Sequence, residues 1–213
     1  MVIASTILLR ENCYQECTSL DKPPKYTLPT DFVSLKELGD VIAAEQKVLN
    51  AAGVPENWKN LRHQDQKRLR EAWHAYMFGV SYAHYFNLLP VMFIKPEAEE
   101  DSFRDATLRW ELSGQTHMLN LQMKEMPPEH RSKMVRLEDI LKGVSETYLK
   151  SYDLVVAVYL NRGQRFETVK TPPLEIAELW FFGFMDQELT KIFLKGMTRS
   201  GDVSHVVPWK KSQ

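Results

Sequence analysis

The segment DATLRWELSGQTHMLNLQMKEM, residues 105–126, decides the fold. In its first half Ala106, Leu108, Trp110 and Leu112 alternate with Asp105, Thr107, Arg109 and Glu111. Period two places one set on a buried face of a strand and the other on a wet face. Ser113-Gly114-Gln115 supplies a turn. A second alternation follows, with Leu119, Leu121 and Met123 facing one way and Asn120, Gln122 and Lys124 the other, and Pro127-Pro128 ends it. The segment therefore reads as a β-hairpin.

Working outward, Val91–Ile94 is a short apolar run that fits a strand, and Pro90 closes the segment before it. A helix is expected over about 64–86, with Leu69, Trp73, Tyr76, Val80 and Ala83 on its apolar face. After the hairpin, Leu137, Ile140, Leu141, Val144 and Tyr148 mark a further helix. Residues 154–160, LVVAVYL, are apolar without alternation and read as a central strand buried on both faces. A last hairpin is expected from Leu179–Phe184, a turn near Asp186-Gln187, and Lys191–Leu194, and the chain after Gly196 reads as a polar, mobile tail. Toward the other end, Ser34 opens a helix with Glu37 at capping-box spacing, and Gly53-Val54-Pro55 stops it. Residues 18–33, with Pro23, Pro24 and Pro29, favour an extended linker. Val2–Leu9 lacks a basic lead-in and reads as a strand rather than a signal peptide.

This gives an α/β fold in three stretches: a strand, linker and helix extension over 1–62, an α/β core over 63–200, and a polar tail over 201–213. Of the 213 residues, 44% are hydrophobic and 26% charged, enough for a sizeable core. The 27 basic and 28 acidic residues leave a net charge of -1, which excludes a strongly basic nucleic-acid coat protein but not an enzyme with a local basic patch. Cys13 and Cys17 read as free thiols of a reducing, cytoplasmic compartment, and no apolar run reaches membrane-spanning length.

The polar face of the hairpin carries the chemistry. Gln122 and Lys124 are two apart and project from one face of one strand, and Asp105 lies on the polar face of its partner. A carboxylate and an amide oxygen suit a hard cation such as Mg2+ or Mn2+. Such a cation polarises a phosphoryl oxygen and acidifies bound water, while an ammonium group neutralises developing charge. The bland alternative is a solvated strand face with an Asp105–Lys124 surface ion pair, worth about 0–1 kcal/mol.

With Asp105 followed by Gln122-Met123-Lys124-Glu125, and the order helix, strand, hairpin, helix, strand over roughly 64–162, the chain resembles the PD-(D/E)xK nuclease superfamily. The resemblance implies a restriction-endonuclease-like αβββαβ core with a mixed sheet, here with an N-terminal helical extension and a C-terminal β-hairpin. It implies Asp105 and Gln122 as metal ligands, Asp105 and Lys124 as catalytic residues, Mg2+ (or Mn2+) as cofactor, and DNA or RNA as substrate. Glu71, on the first helix, is the nearest candidate for a further acid. Glu111 shares the polar face of Asp105 but stands near the turn, where solvation is the ordinary role. Glu125 points to the face opposite Lys124. The chain departs from the family where Gln122 replaces an acid and where Arg104 stands in place of a proline. The alternative function is a catalytically silent protein of the same fold that binds a partner or nucleic acid; a third is an α/β scaffold with no hydrolytic role.

Lys59, Arg62, His63, Lys67, Arg68 and Arg70 gather positive charge near the start of the second helix, either as a solvated face or as a phosphate contact. His74 and His84, ten apart, are not at metal-ligand spacing and read as packing histidines. Trp180, Phe181, Phe182 and Phe184 read as core or as a homodimer contact.

Overall fold

The computed structural model describes residues 27–50, 66–95, 104–129, 135–162, 169 and 171–209. The expectations for Val2–Leu9, Cys13, Cys17, Lys59, Arg62 and His63 lie outside the described residues.

Among the described residues eight strands form one mixed sheet in chain order: β1 (Val33–Ser34), β2 (Val91–Ile94), β3 (Ala106–Leu112), β4 (Gln115–Met126), β5 (Ser151–Leu160), β6 (Ile176–Phe184), β7 (Lys191–Thr198) and β8 (Gly201–Pro208). The pairs β4–β5 and β5–β6 are parallel and all others antiparallel. Among the described residues there are three helices, α1 (Leu35–Leu49), α2 (Lys67–Phe86) and α3 (Leu137–Thr147). None is long and apolar enough to cross a membrane.

The hairpin forms because its turn residues allow it. Ser113 and Gly114 take φ values of 53° and 75°, the left-handed pair that matches the twist of two-residue hairpins. Gln115, expected in the turn, is already paired with Leu112. α1 starts at the expected box: Ser34 Oγ accepts from the Glu37 N–H at 3.2 Å, and Glu37 Oε2 accepts from the Ser34 N–H at 2.9 Å. It lies close against α2, since a Cβ at Gly39 would come within 2.6 Å of Tyr76 Oη.

β5 is the middle of the molecule. Val155 and Ala157 join the core under α1 and α2, and Val156 and Val158 join the core under α3; all four are fully buried. The aromatic run of β6 is core in the same way, with Trp180 and Phe182 on the α2 side and Phe181 on the α3 side.

Two expectations are corrected. The stretch from 201, read as a polar tail, forms β8 and pairs with β7 along its length. As an edge strand it buries only one side, so Asp202, Ser204 and Val206 are exposed and the segment looks polar in sequence. The buried face of α2 is centred on Ala72, Ala75, Phe78 and Tyr82; of the expected face Leu69 and Ala83 are buried, while Trp73, Tyr76 and Val80 are half-buried against the core. The helix is covered by both the sheet and α1, which blurs its periodicity.

Candidate metal and phosphate site

Asp105 stands at the entry to β3, beside the middle of the parallel β4–β5 ladder, held by its main chain. Its N–H donates to the Leu121 carbonyl at 2.7 Å, and its carbonyl accepts from the Lys95 N–H at 3.0 Å. The register that pairs Ala106 with Leu121 sets Asp105 opposite Gln122. Asp105 Oδ2 accepts from the Met123 N–H at 2.7 Å and from Gln122 Nε2. The structure therefore brings Asp105 and Gln122 into direct contact on adjacent strands.

Lys124 follows two residues along β4 on the face of Gln122. Its Nζ lies 5.1 Å from the ring centroid of Tyr148, the residue that caps α3. Its positive charge still acts on Asp105. Glu71 reaches the site from the first turns of α2, with Lys67 Nζ 3.5 Å from its Oε1. Burial pushes the Asp105 carboxyl above its ordinary range, against the pull of the Met123 N–H and of Lys124, Lys67 and Lys95. Burial also raises Glu71, and the charge of Asp105 raises it further, against Lys67 and Arg70. Two desolvated carboxylates from different elements thus face one field, an arrangement typical of functional sites.

Glu111 does not join them. It sits exposed near the hairpin tip, accepting from Thr116 Oγ1 at 2.5 Å, about 20 Å along the strand from Asp105 at the rise of an extended chain. Glu125, on the other face of β4, pairs with Arg70 Nε at 3.2 Å and ties the start of α2 to the end of β4. Beside that pair His74 stacks on Tyr159 with ring centroids 4.3 Å apart, and burial pushes its imidazole down to about 3, so it stays neutral. His74 is the packing histidine expected; His84 is exposed, with its ring 5.9 Å from that of His205. The Arg70–Glu125 pair and the Tyr148 ring were not legible in sequence, because helix-to-strand contacts leave no spacing signal.

The donor set fits a hard cation in its chemistry. It comprises two carboxylates, the Gln122 amide and the Met123 carbonyl, which lies 3.5 Å from Gln122 Nε2. Among the described residues no three His, Cys, Asp or Glu side chains gather as a ligand group. A cation here would rest on two acids and neutral oxygens. As it stands, the Gln122 amide turns its nitrogen to Asp105. Half a turn about its last torsion would present the oxygen instead, an arrangement favoured when a cation, or a proton on the Asp105 carboxyl, lies between the two oxygens.

No protein-family model, curated protein or solved structure matches the chain.

Proposed function

We propose that the chain is a metal-dependent nuclease of the PD-(D/E)xK type that hydrolyses phosphodiester bonds in DNA or RNA. One observation carries the reading: Asp105 and Gln122 are in direct contact on adjacent strands, with Lys124 two residues along β4 on the face of Gln122 and with the charges of Lys124 and of Glu71 of α2 interacting with that of Asp105. The element order α2, β2, β3, β4, α3, β5 and the mixed sheet support it. Asp105, Glu71 and the amide oxygen of Gln122 would hold Mg2+ or Mn2+, which supplies charge at the phosphoryl oxygen and a more acidic bound water. Lys124 would place its ammonium against the phosphate as negative charge develops. Leaving the buried Tyr148 ring would cost about 1–2 kcal/mol, the range of a partly desolvated cation–π contact. The Met123 N–H fixes the Asp105 carboxylate, so the ligand is in place before any cation arrives.

A second reading is a catalytically silent nucleic-acid or partner-binding module. It is favoured by the bond from Gln122 Nε2 to Asp105, which satisfies the carboxylate without a metal.

Incubation of purified protein with single- and double-stranded DNA and RNA separates the two. Cleavage with Mg2+ or Mn2+ and none in EDTA is expected. Asp105→Ala should abolish it, and Lys124→Ala should reduce it by about a hundredfold or more, the loss typical of a transition-state donor. Absence of cleavage on every substrate, or full activity in Asp105→Ala, would overturn the nuclease.

A further inference from the structure

The two edges of the sheet are built differently. β1 has two residues, and the chain passes straight from it into α1. So short an edge strand is one of the ordinary guards against pairing with another chain. β8, at the other edge, has eight residues and pairs with β7 from Gly201 to Pro208 without a bulge. Among the described residues no strand lies beyond it. It carries no lysine or arginine, and its one acid, Asp202, and its one proline, Pro208, stand near its two ends.

The main chain shows which groups of β8 are left over. The Trp209 N–H donates to the Thr190 carbonyl at 2.6 Å, so these two residues face each other as a hydrogen-bonded pair. Such pairs recur at every second residue of an antiparallel ladder. Val207, His205, Val203 and Gly201 therefore bond to β7, and the N–H and C=O groups of Asp202, Ser204 and Val206 point out of the sheet. Pro208 continues the outward set but has no N–H. The side chains divide in the same way. Val203 packs against the core under α2, His205 sets its ring 5.3 Å from that of Tyr85, and Val207 is buried. Asp202, Ser204 and Val206 are exposed, Val206 at 45%.

We infer that β8 is the seam of a homodimer, in which two copies of the chain join edge to edge, antiparallel, about a twofold axis through Ser204. In that register Ser204 meets Ser204 of the second copy, and Asp202 meets Val206 of the second copy on either side of the axis. Each pair exchanges both of its N–H···O=C bonds. Every outward donor of β8 is then satisfied, and no two like charges are opposed. Centring on His205 instead would set Pro208, which lacks an N–H, against Asp202 and would oppose the two imidazoles. The axis stands perpendicular to the sheet, so the α2 face of one copy continues into that of the other. A second copy is the occupant this edge selects, because the segment is complementary to itself. β1 is too short to offer a head-to-tail alternative, so the contact closes as a dimer and does not grow into a fibre. The inference stands apart from the nuclease reading.

Analytical ultracentrifugation of the full chain over a dilution series tests it. Wild type should reach twice the chain mass of 24.8 kDa at the upper concentrations. Ser204→Lys sets two ammonium groups against each other on the axis. Ser204→Pro removes one outward N–H and leaves the β7 ladder intact, as an edge strand tolerates. Both variants should halve the mass while keeping the circular dichroism spectrum of wild type. Leu149→Ser, which removes an exposed apolar side chain between α3 and β5, should leave the dimer in place. In a background with Cys13 and Cys17 replaced by serine, Ser204→Cys should form a disulfide-linked dimer on air oxidation. Its two Cα atoms would stand about 5.5 Å apart, within the span of a disulfide. Asp202→Cys should not cross-link, since its two Cα atoms would lie about 13 Å apart along the strands. Monomer mass for wild type at the highest concentration would overturn the seam. So would a dimer that survives both Ser204→Lys and Ser204→Pro, or equal cross-linking of Ser204→Cys and Asp202→Cys.

Discussion

Val156→Asp tests whether β5 is the buried spine on which the site is built. Val156 is fully buried on the α3 side, opposite Gln122 on β4 and Leu179 on β6. Removing the isopropyl group forfeits about 2 kcal/mol of apolar burial. A carboxylate in its place enters an apolar cluster that includes Leu141, Val144, Val158 and Phe181, with the uncharged Gln122 beside it on β4. An unpaired buried charge costs about 3–5 kcal/mol more. The sum, about 5–7 kcal/mol, equals or exceeds the stability of many domains, so the variant should be unfolded or nearly so at room temperature. Val156→Thr keeps the shape and buries one hydroxyl. It should cost about 1–3 kcal/mol, or roughly 2–12 °C in Tm for a chain of this size. Circular dichroism melts and urea titrations of wild type and both variants measure this. A Val156→Asp protein melting within 2 °C of wild type would refute the reasoning, because it would mean water reaches β5.

Asp105 and Glu71 both have folded pKa values raised above their ordinary range. The stability each contributes is therefore fully present below the unfolded pKa, about 4, and lost as pH rises through the folded value. Asp105→Asn, which keeps an acceptor for the Met123 N–H, should raise Tm at pH 7, and scanning calorimetry should show the gain vanish below about pH 4. A lowered Tm at pH 7 would mean the carboxylate is stabilising rather than strained. Arg70→Ala and Glu125→Ala should show a coupling of about 1 kcal/mol in a double-mutant cycle by urea denaturation, as befits a half-buried ion pair. Additive effects would separate α2 from β4.

The parts of the fold that were legible in sequence have a single dominant environment. The 105–126 hairpin alternates because each strand has one covered face, and residues 154–158 do not alternate because helices cover both sides of β5. Ser34 and Glu37 were legible because a capping box is local. The alternation misled at the hairpin tip, where Leu112 is exposed. Thr107 is buried despite its polar parity and hydrogen-bonds to Asn120 at 3.3 Å. β8 was missed since an edge strand with one exposed face and a wet rim has the composition of a tail. At the site, strand parity was enough to bring Asp105 to Gln122 and to set Lys124 on the same face. The weaker candidates divided on geometry: Glu71 arrives because α2 starts beside the end of β4, and Glu111 stays away because it stands six residues further along β3.

The central claim is that Asp105, Glu71 and Gln122 hold a cation. Titration calorimetry with Mn2+ on wild type, Gln122→Glu and Asp105→Ala tests it most directly. Gln122→Glu adds a third carboxylate where an amide now stands, and affinity rises with the charge of the ligands, so its Mn2+ affinity should exceed that of wild type by about tenfold or more. Asp105→Ala should bind none. Equal affinity in all three proteins, or no heat in any of them, would contradict the account.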